Sequence, residues 1–161
     1  MICWRIVHGK ESMDINQALN EILVRLFHSI NAIEEQAIKT EEFKNVTTND
    51  MHVIEAIGTG EPRNMTSVAR MLSVTTGTLT ISVNSLVKKG FVERSRSEED
   101  RRVVLVSLTE KGKQAYEHHR QFHERMIEEI VGELNEEEKQ VLIKSLTRMG
   151  VFFEEMKKKK S

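Results

Sequence analysis

Residues 66–109 read TSVARMLSVTTGTLTISVNSLVKKGFVERSRSEEDRRVVLVSLT, and the fold turns on this run. Val68, Ala69 and Leu72 are spaced as the buried side of a short helix. Ser73-Val74-Thr75 interrupts it, and Thr75 or Thr76 can cap a second helix. That helix gathers Leu79, Val83, Leu86 and Val87 on one face and leaves Thr76, Thr78, Thr80, Asn84 and Lys88 elsewhere. Gly90 reads as its C-cap, with Lys88 and Lys89 favourable at the negative helix end. Phe91 to Ser95 alternates as a strand, and the β-branched run Val103 to Leu108 is a second strand. Between them Arg96-Ser97-Glu98-Glu99-Asp100-Arg101-Arg102 is too charged to be core. Two helices joined by a turn and followed by a basic hairpin make a device for reading DNA. The second helix enters the major groove, and the hairpin tip reaches the backbone or the minor groove.

The polar side of the second helix supplies the expected DNA contacts. Thr75, Thr76, Thr78, Thr80, Ser82 and Asn84 can donate to phosphates or base edges, and threonine methyls can touch thymine methyls. Thr66 and Lys88 complete the helical set, and Arg94, Arg96, Arg101 and Arg102 supply the hairpin's. No arginine or glutamine lies on the helix to read guanine or adenine in two-toothed fashion, so A·T-rich sites are expected, with DNA shape contributing. For any one of these threonines the competing role is to cap or solvate the helix.

The chain has 161 residues, which suits one domain or one protomer of an oligomer. Charged residues make up 30% and aromatics 5%. So few large core side chains favour long helices packed on a partner chain. The formal net charge is −1, so affinity for nucleic acid has to come from a local patch. Residues 88–102 hold six basic side chains against four acidic ones, while 128–138 is almost purely acidic. One face suits phosphates and others avoid them. The single cysteine, Cys3, rules out an intrachain disulfide and fits a reducing compartment. There is no signal peptide pattern and no apolar run of about eighteen residues, so a cytoplasmic protein with no membrane role is expected. An enzyme is not: G-x-S-x-G and phosphate-cradling glycine loops are missing.

Residues 1–12 follow no periodic pattern and are expected to be a disordered leader. From Ile15 the apolar positions Ile15, Leu19, Ile22, Leu26, Ile30, Ile33 and Ala37 alternate by four and three, a helical seam. Its ~25 residues span ~37 Å, the length of an arm that packs on a second subunit. Thr47 to Asp50 can cap a short helix with Met51, Ile54 and Ile57 inward. Asn64-Met65 can add a third strand before Thr66 caps the next helix. Thr109 begins a long helix, with Ala115, His119, Phe122, Met126, Ile130 and Leu134 along one side. Asn135 precedes Glu136, Glu137 and Glu138 at the start of another.

The fold class expected is mainly α with a small β-wing: a winged helix-turn-helix of six helices, a homodimer through its N- and C-terminal helices. Residues 13–46 and 109–157 would form the helical dimerisation region, 47–108 the DNA-binding domain, and 158–161 a basic tail. Two recognition helices imply a palindromic operator in double-stranded DNA, with half-sites about 34–36 Å apart or a multiple of that.

The run Asp100-Arg101-Arg102-Val103-Val104, leading to Leu108-Thr109-Glu110-Lys111-Gly112, closely resembles the wing and following helix start of MarR-type transcription regulators. The resemblance spans roughly residues 14 to 157. It is nearest to the branch that represses fatty-acid synthesis genes (FabT), through Lys89-Gly90-Phe91, Arg94 to Arg96, the wing and Phe122-His123. In that family an aspartate and an arginine near the tip pair and hold the hairpin. Carried over, Asp100 is the orienting acid, Arg101 or Arg96 the groove contact, and Arg102 a phosphate or structural contact. The branch implies an acyl chain on acyl carrier protein as corepressor, and no other cofactor.

An acyl chain needs an apolar slot. Leu23, Phe27, Ile30, Met51, Ile54, Phe122 and Met126 are candidates to line it, with His119 and His123 at its edge; methionine adapts to different chains. Acyl carrier protein is acidic, and Lys111, Lys113, Arg120 and Arg125 are available to dock it. The alternative is a zinc-responsive repressor. His119 and His123 are one helical turn apart, a chelating spacing. His52, with Glu34, Glu35 or Glu55, could complete the set, as in some MarR-type regulators. The plainest reading makes these histidines polar edges of a core helix.

Overall fold

A computed structural model describes residues 14–40 and 43–159. The expected leader and the last two residues of the basic tail lie outside these. Among the described residues six helices and three strands follow in the order α1 (Ile15–Ile38), α2 (Thr48–Ile57), β1 (Arg63–Asn64), α3 (Met65–Met71), α4 (Thr76–Lys89), β2 (Val92–Arg96), β3 (Val104–Leu108), α5 (Glu110–Gly132) and α6 (Glu136–Lys158). This is the winged helix-turn-helix expected. No helix of the described residues is long and apolar enough to cross a membrane. The chain divides into two compact units, Met1–Tyr116 and Glu117–Ser161.

The first unit is built on an antiparallel sheet in the order β1-β3-β2. Val92 pairs with Leu108 and Arg96 with Val104, while Arg63 pairs with Val106. Met51 and Ile54 of α2, Val68 of α3, Leu79, Val83 and Leu86 of α4, Phe91 and Val106 are all fully buried in one core. Each such side chain contributes about 1.5–3 kcal/mol. Val87, expected with them, is instead 38% exposed. The inward stripe of α4 is narrow and follows i, i+4, i+7.

Local chemistry explains the helix ends. The Thr47 side chain accepts from the Asp50 N–H, and Asp50 returns a bond to the Thr47 N–H, closing a capping box on α2. The buried Asp50 carboxylate also accepts from Lys89 Nζ at 2.7 Å, tying the end of α4 to the start of α2. The cap of α3 is Asn64 rather than the expected Thr66, because the Asn64 side-chain Oδ1 accepts from the Ser67 N–H at 2.8 Å. Gly90 closes α4 at φ +79°, a left-handed value that other residues resist.

The motif after the wing has a steric basis. Thr109 donates its hydroxyl to the Gly90 carbonyl at 2.7 Å and its N–H to the Phe91 carbonyl at 3.0 Å. Thr109 Oγ1 also accepts from the Gly112 N–H at 3.1 Å, capping α5. A Cβ on Gly112 would stand 2.1 Å from the Phe91 carbonyl oxygen. Only glycine lets the first turn of α5 sit on the turn that ends α4. Lys111 completes the joint, with Nζ 4.3 Å from the Phe91 ring centroid and 3.3 Å from the Lys89 carbonyl.

The second unit holds the rest of α5 and α6. Asn135 and Glu138 form a capping box at the start of α6, and Arg120 bridges Glu117 and Glu124 on α5. Helix α6 buries none of its residues; Val141, Ile143, Leu146, Phe152 and Phe153 are more than half exposed.

Candidate nucleic-acid interface

Helix α4 begins at a threonine cap. Thr75 Oγ1 accepts from the Thr78 N–H at 3.1 Å, and the Thr75 and Thr78 hydroxyls lie 2.9 Å apart. Thr80 donates its hydroxyl to the Thr76 carbonyl at 2.7 Å. Three of the threonines offered as DNA contacts, Thr75, Thr78 and Thr80, therefore already hold bonds within the helix. Thr76 and Asn84 are exposed, and Ser82 is half-buried.

At about 100° per residue, Gly77, Ile81, Asn84 and Lys88 lie within about 60° of one another, opposite Leu79, Val83 and Leu86. The outward face of α4 thus includes Ile81, which is 73% exposed. Ile81 was not legible as a site residue, because apolar residues at helical spacing count first as core. Its angle from the buried stripe was the available signal.

Two concave surfaces flank this face. One is lined by Thr66, Arg70, Thr76 and Arg102 together with Met65 and Val103. The other is lined by Thr80, Arg94, Ser95 and Arg96 with Met65 and Val104. Thr66, Thr76 and Thr80 from the helices thereby meet Arg94, Arg96 and Arg102 of the hairpin. Arg70, not foreseen from sequence, joins them on the exposed side of α3. Such guanidinium and hydroxyl groups are suited to the phosphate oxygens of a duplex.

The hairpin tip holds itself by backbone bonds. Asp100 Oδ1 accepts from the Arg102 N–H at 2.9 Å, and the Asp100 carbonyl accepts from the Val103 N–H at 2.9 Å. Arg96 donates a guanidinium N–H to the Arg101 carbonyl at 2.8 Å. The aspartate–arginine side-chain pair implied by the family resemblance takes a different form here. Asp100 orients the tip through backbone, and Arg96 braces it from the strand. Arg101 and Arg102 are left exposed, side by side.

The candidate effector residues fall in several settings. Met51 and Ile54 are fully buried in the winged core, whereas Leu23, Phe27 and Ile30 on α1 are substantially exposed. In the second unit His119 is buried and Phe122, His123 and Met126 are half-buried. The Nε2 atoms of His119 and His123 lie 3.1 Å apart, and their rings meet edge to face. His52 is exposed on α2, its Nε2 3.5 Å from Glu34 Oε1.

Comparison with known proteins accords with this architecture. Residues 36–119, just over half of the chain, match the family described as transcriptional regulator SarA/Rot. A crystal structure of Streptococcus pneumoniae FabT in complex with DNA is 40% identical, covers 88% of this chain and 99% of that one, and has a TM-score of 0.83. The regulator SarZ of Staphylococcus haemolyticus is 32% identical over 102 residues, 63% of this chain and 68% of that protein. A MarR protein from Peptoclostridium difficile, 24% identical over 92% of this chain and 95% of its own, shares the fold with a TM-score of 0.71. With the winged helix, the glycine-dependent joint and these relatives in agreement, the chain belongs to the MarR/SarA-type winged-helix transcriptional regulators.

Proposed function

We propose that the protein is a homodimeric repressor that binds a palindromic operator in double-stranded DNA and controls fatty-acid synthesis genes. The observation that carries this is the likeness to the DNA-bound FabT, which extends over nearly all of that chain. Residues 47–108 act as the DNA-binding domain. Asn84 and Lys88 of α4 enter the major groove with Thr76 and Ser82 beside them. Thr66, Arg94 and Arg102 hold phosphates, and Arg101 reaches the minor groove with Asp100 and Arg96 shaping the tip. Thr75, Thr78 and Thr80 serve mainly to form the helix, with their methyls at the groove wall.

Dimerisation is supported by the exposed apolar side chains of α1 and α6. Ile15, Leu19, Ile22, Leu26 and Phe27 are each at least half exposed, as are Val141, Phe152 and Phe153. Large apolar side chains exposed along a whole helix mark a surface that another chain covers. A second copy, clasped through residues 13–46 and 109–157, would bury it.

The corepressor in this reading is a long-chain acyl group on acyl carrier protein, working in the cytoplasm. Lys111, Lys113 and Arg125 would meet the acidic carrier protein, with Arg120 already bridging two glutamates. The acyl chain would be met by apolar side chains among Leu23, Phe27 and Ile30 of the first unit or Phe122 and Met126 of the second, Met51 and Ile54 being committed to the winged core. The test is operator binding measured by fluorescence anisotropy while long-chain acyl carrier protein is titrated in. Tighter binding is expected, and an unchanged affinity retires the corepressor. The paired Nε2 atoms of His119 and His123 favour a second reading, zinc as effector. A response to zinc, absent in His123→Ala, would put that reading first.

A further inference from the structure

We infer that Ile81 is a thymine-reading residue, burying its side chain against a C5-methyl group in the major groove. This rests on the proposal that α4 enters that groove.

Ile81 shares the highest exposure among the described apolar residues and is packed on nothing in the core. It stands on the outward face, between Gly77 one turn before and Asn84 one turn after along the helix. A β-branched residue on an exposed helix surface is a poorer helix former than alanine, so the fold gains nothing from it there.

Gly77 gives an independent sign that this face meets a partner closely. Glycine is a poorer helix former than alanine, and Gly77 is the second residue of α4. Yet a Cβ at Gly77 would meet only Thr75 Oγ1, at an ordinary 3.7 Å. Gly77 is not among the residues with positive φ. No internal packing therefore calls for glycine. A bare backbone one turn from Ile81 lets the start of α4 approach an external surface.

The charge of the face says which surface. Helix α4 contains no acidic residue and carries Lys88 and Lys89, and Arg94 and Arg102 line the flanking clefts. A duplex supplies the matching phosphates. In its major groove the thymine methyl is the apolar group that distinguishes one base pair from the others. An isoleucine among hydroxyl and amide side chains fits that methyl and no hydrogen-bonding edge.

The probe is a duplex selected from a random-sequence library by the full chain. Each thymine is then replaced singly by deoxyuridine, which removes the methyl and nothing else. The wild-type protein is expected to bind about fourfold more weakly when the contacted thymine is changed, the equivalent of one buried methyl at tenfold per 1.4 kcal/mol. Ile81→Ala is expected to bind the thymine duplex more weakly and to be indifferent to deoxyuridine at that position. Ile81→Val is expected to keep most of the sensitivity. Because residue 81 is exposed and alanine is the better helix former, Ile81→Ala should retain the wild-type melting temperature. A selected duplex that tolerates deoxyuridine everywhere, or an Ile81→Ala protein with an undiminished deoxyuridine penalty, overturns the inference and leaves DNA binding standing. Failure to select any duplex overturns both.

Discussion

Replacing Gly112 by alanine tests the joint between the wing domain's last turn and α5. The new Cβ would lie 2.1 Å from the Phe91 carbonyl oxygen, 3.1 Å from its carbonyl carbon and 3.2 Å from Leu108 Cβ. The clash is with backbone, so no flexible side chain can swing aside. The Phe91 carbonyl also accepts from the Thr109 N–H, and the Phe91 N–H donates to the Leu86 carbonyl. Moving the strand by about 1 Å would disturb both. Overpacking of this kind costs about 1–3 kcal/mol, and a weakened backbone bond adds about 0.5–1.5 kcal/mol. Alanine's better helix propensity returns up to about 1 kcal/mol. The net is a destabilisation between about 0.5 and 4.5 kcal/mol, centred near 2.5, which at the centre is a fall in melting temperature of roughly 5–10 °C for a chain of this size. The assay is thermal unfolding by circular dichroism at matched protein concentration, since self-association shifts the midpoint. A melting temperature unchanged or raised would mean that the close approach is not a constraint.

Further outcomes follow from the same geometry. Gly77→Ala should hold or raise the melting temperature while weakening operator binding, because its Cβ is accepted by the fold but projects toward the duplex; unchanged affinity would place α4 farther from DNA. Arg101→Ala should weaken operator binding, lower the salt slope by about one and leave the melt unchanged; equal affinity at physiological salt would remove the wing from the interface. Asp50→Ala removes the α2 capping box and leaves Lys89 without its carboxylate. It should cost about 2–3 kcal/mol, and urea unfolding with the wild-type midpoint would show that this link between α2 and α4 contributes nothing. Hydrogen bonds from Arg120 and Gln121 hold the Glu117 carboxyl down at about 2. A depressed folded value means the interaction is fully present above the ordinary carboxylate range and is lost as pH falls toward about 2. Carboxyl-carbon NMR should show this low midpoint and its return toward normal in Arg120→Ala; an ordinary titration of Glu117 in the wild type would contradict it.

Much of the architecture was legible because its signals are local. Thr47 and Asp50, Asn135 and Glu138, and Gly90 after Lys88-Lys89 each mark a helix end through bonds to neighbours within a few residues. The hairpin followed from a β-branched run opposite a charged one. What escaped depends on register or on three-dimensional angle. Asn64 outcompetes Thr66 as the α3 cap because β1 holds it extended just before the helix. The bond from Arg96 to the Arg101 carbonyl exists only when β2 and β3 pair in the observed register. Apolar spacing separates buried from exposed positions only after the core is placed. Val87 and Ile81 look alike in a list of apolar residues, yet both are exposed, and Ile81 points straight away from the core. Arg70 joins the cleft because α3 and the hairpin converge, which no spacing along the chain reveals.

The most direct measurement is photo-cross-linking from a selected duplex in which single thymines are replaced by 5-iodouracil, with the attached peptide located by mass spectrometry. The expected result is attachment within residues 76–89, strongest near Ile81 and Asn84, from thymines in each half-site. Attachment confined to peptides of α1, α5 or α6 would contradict the assignment of α4 as the DNA-reading helix.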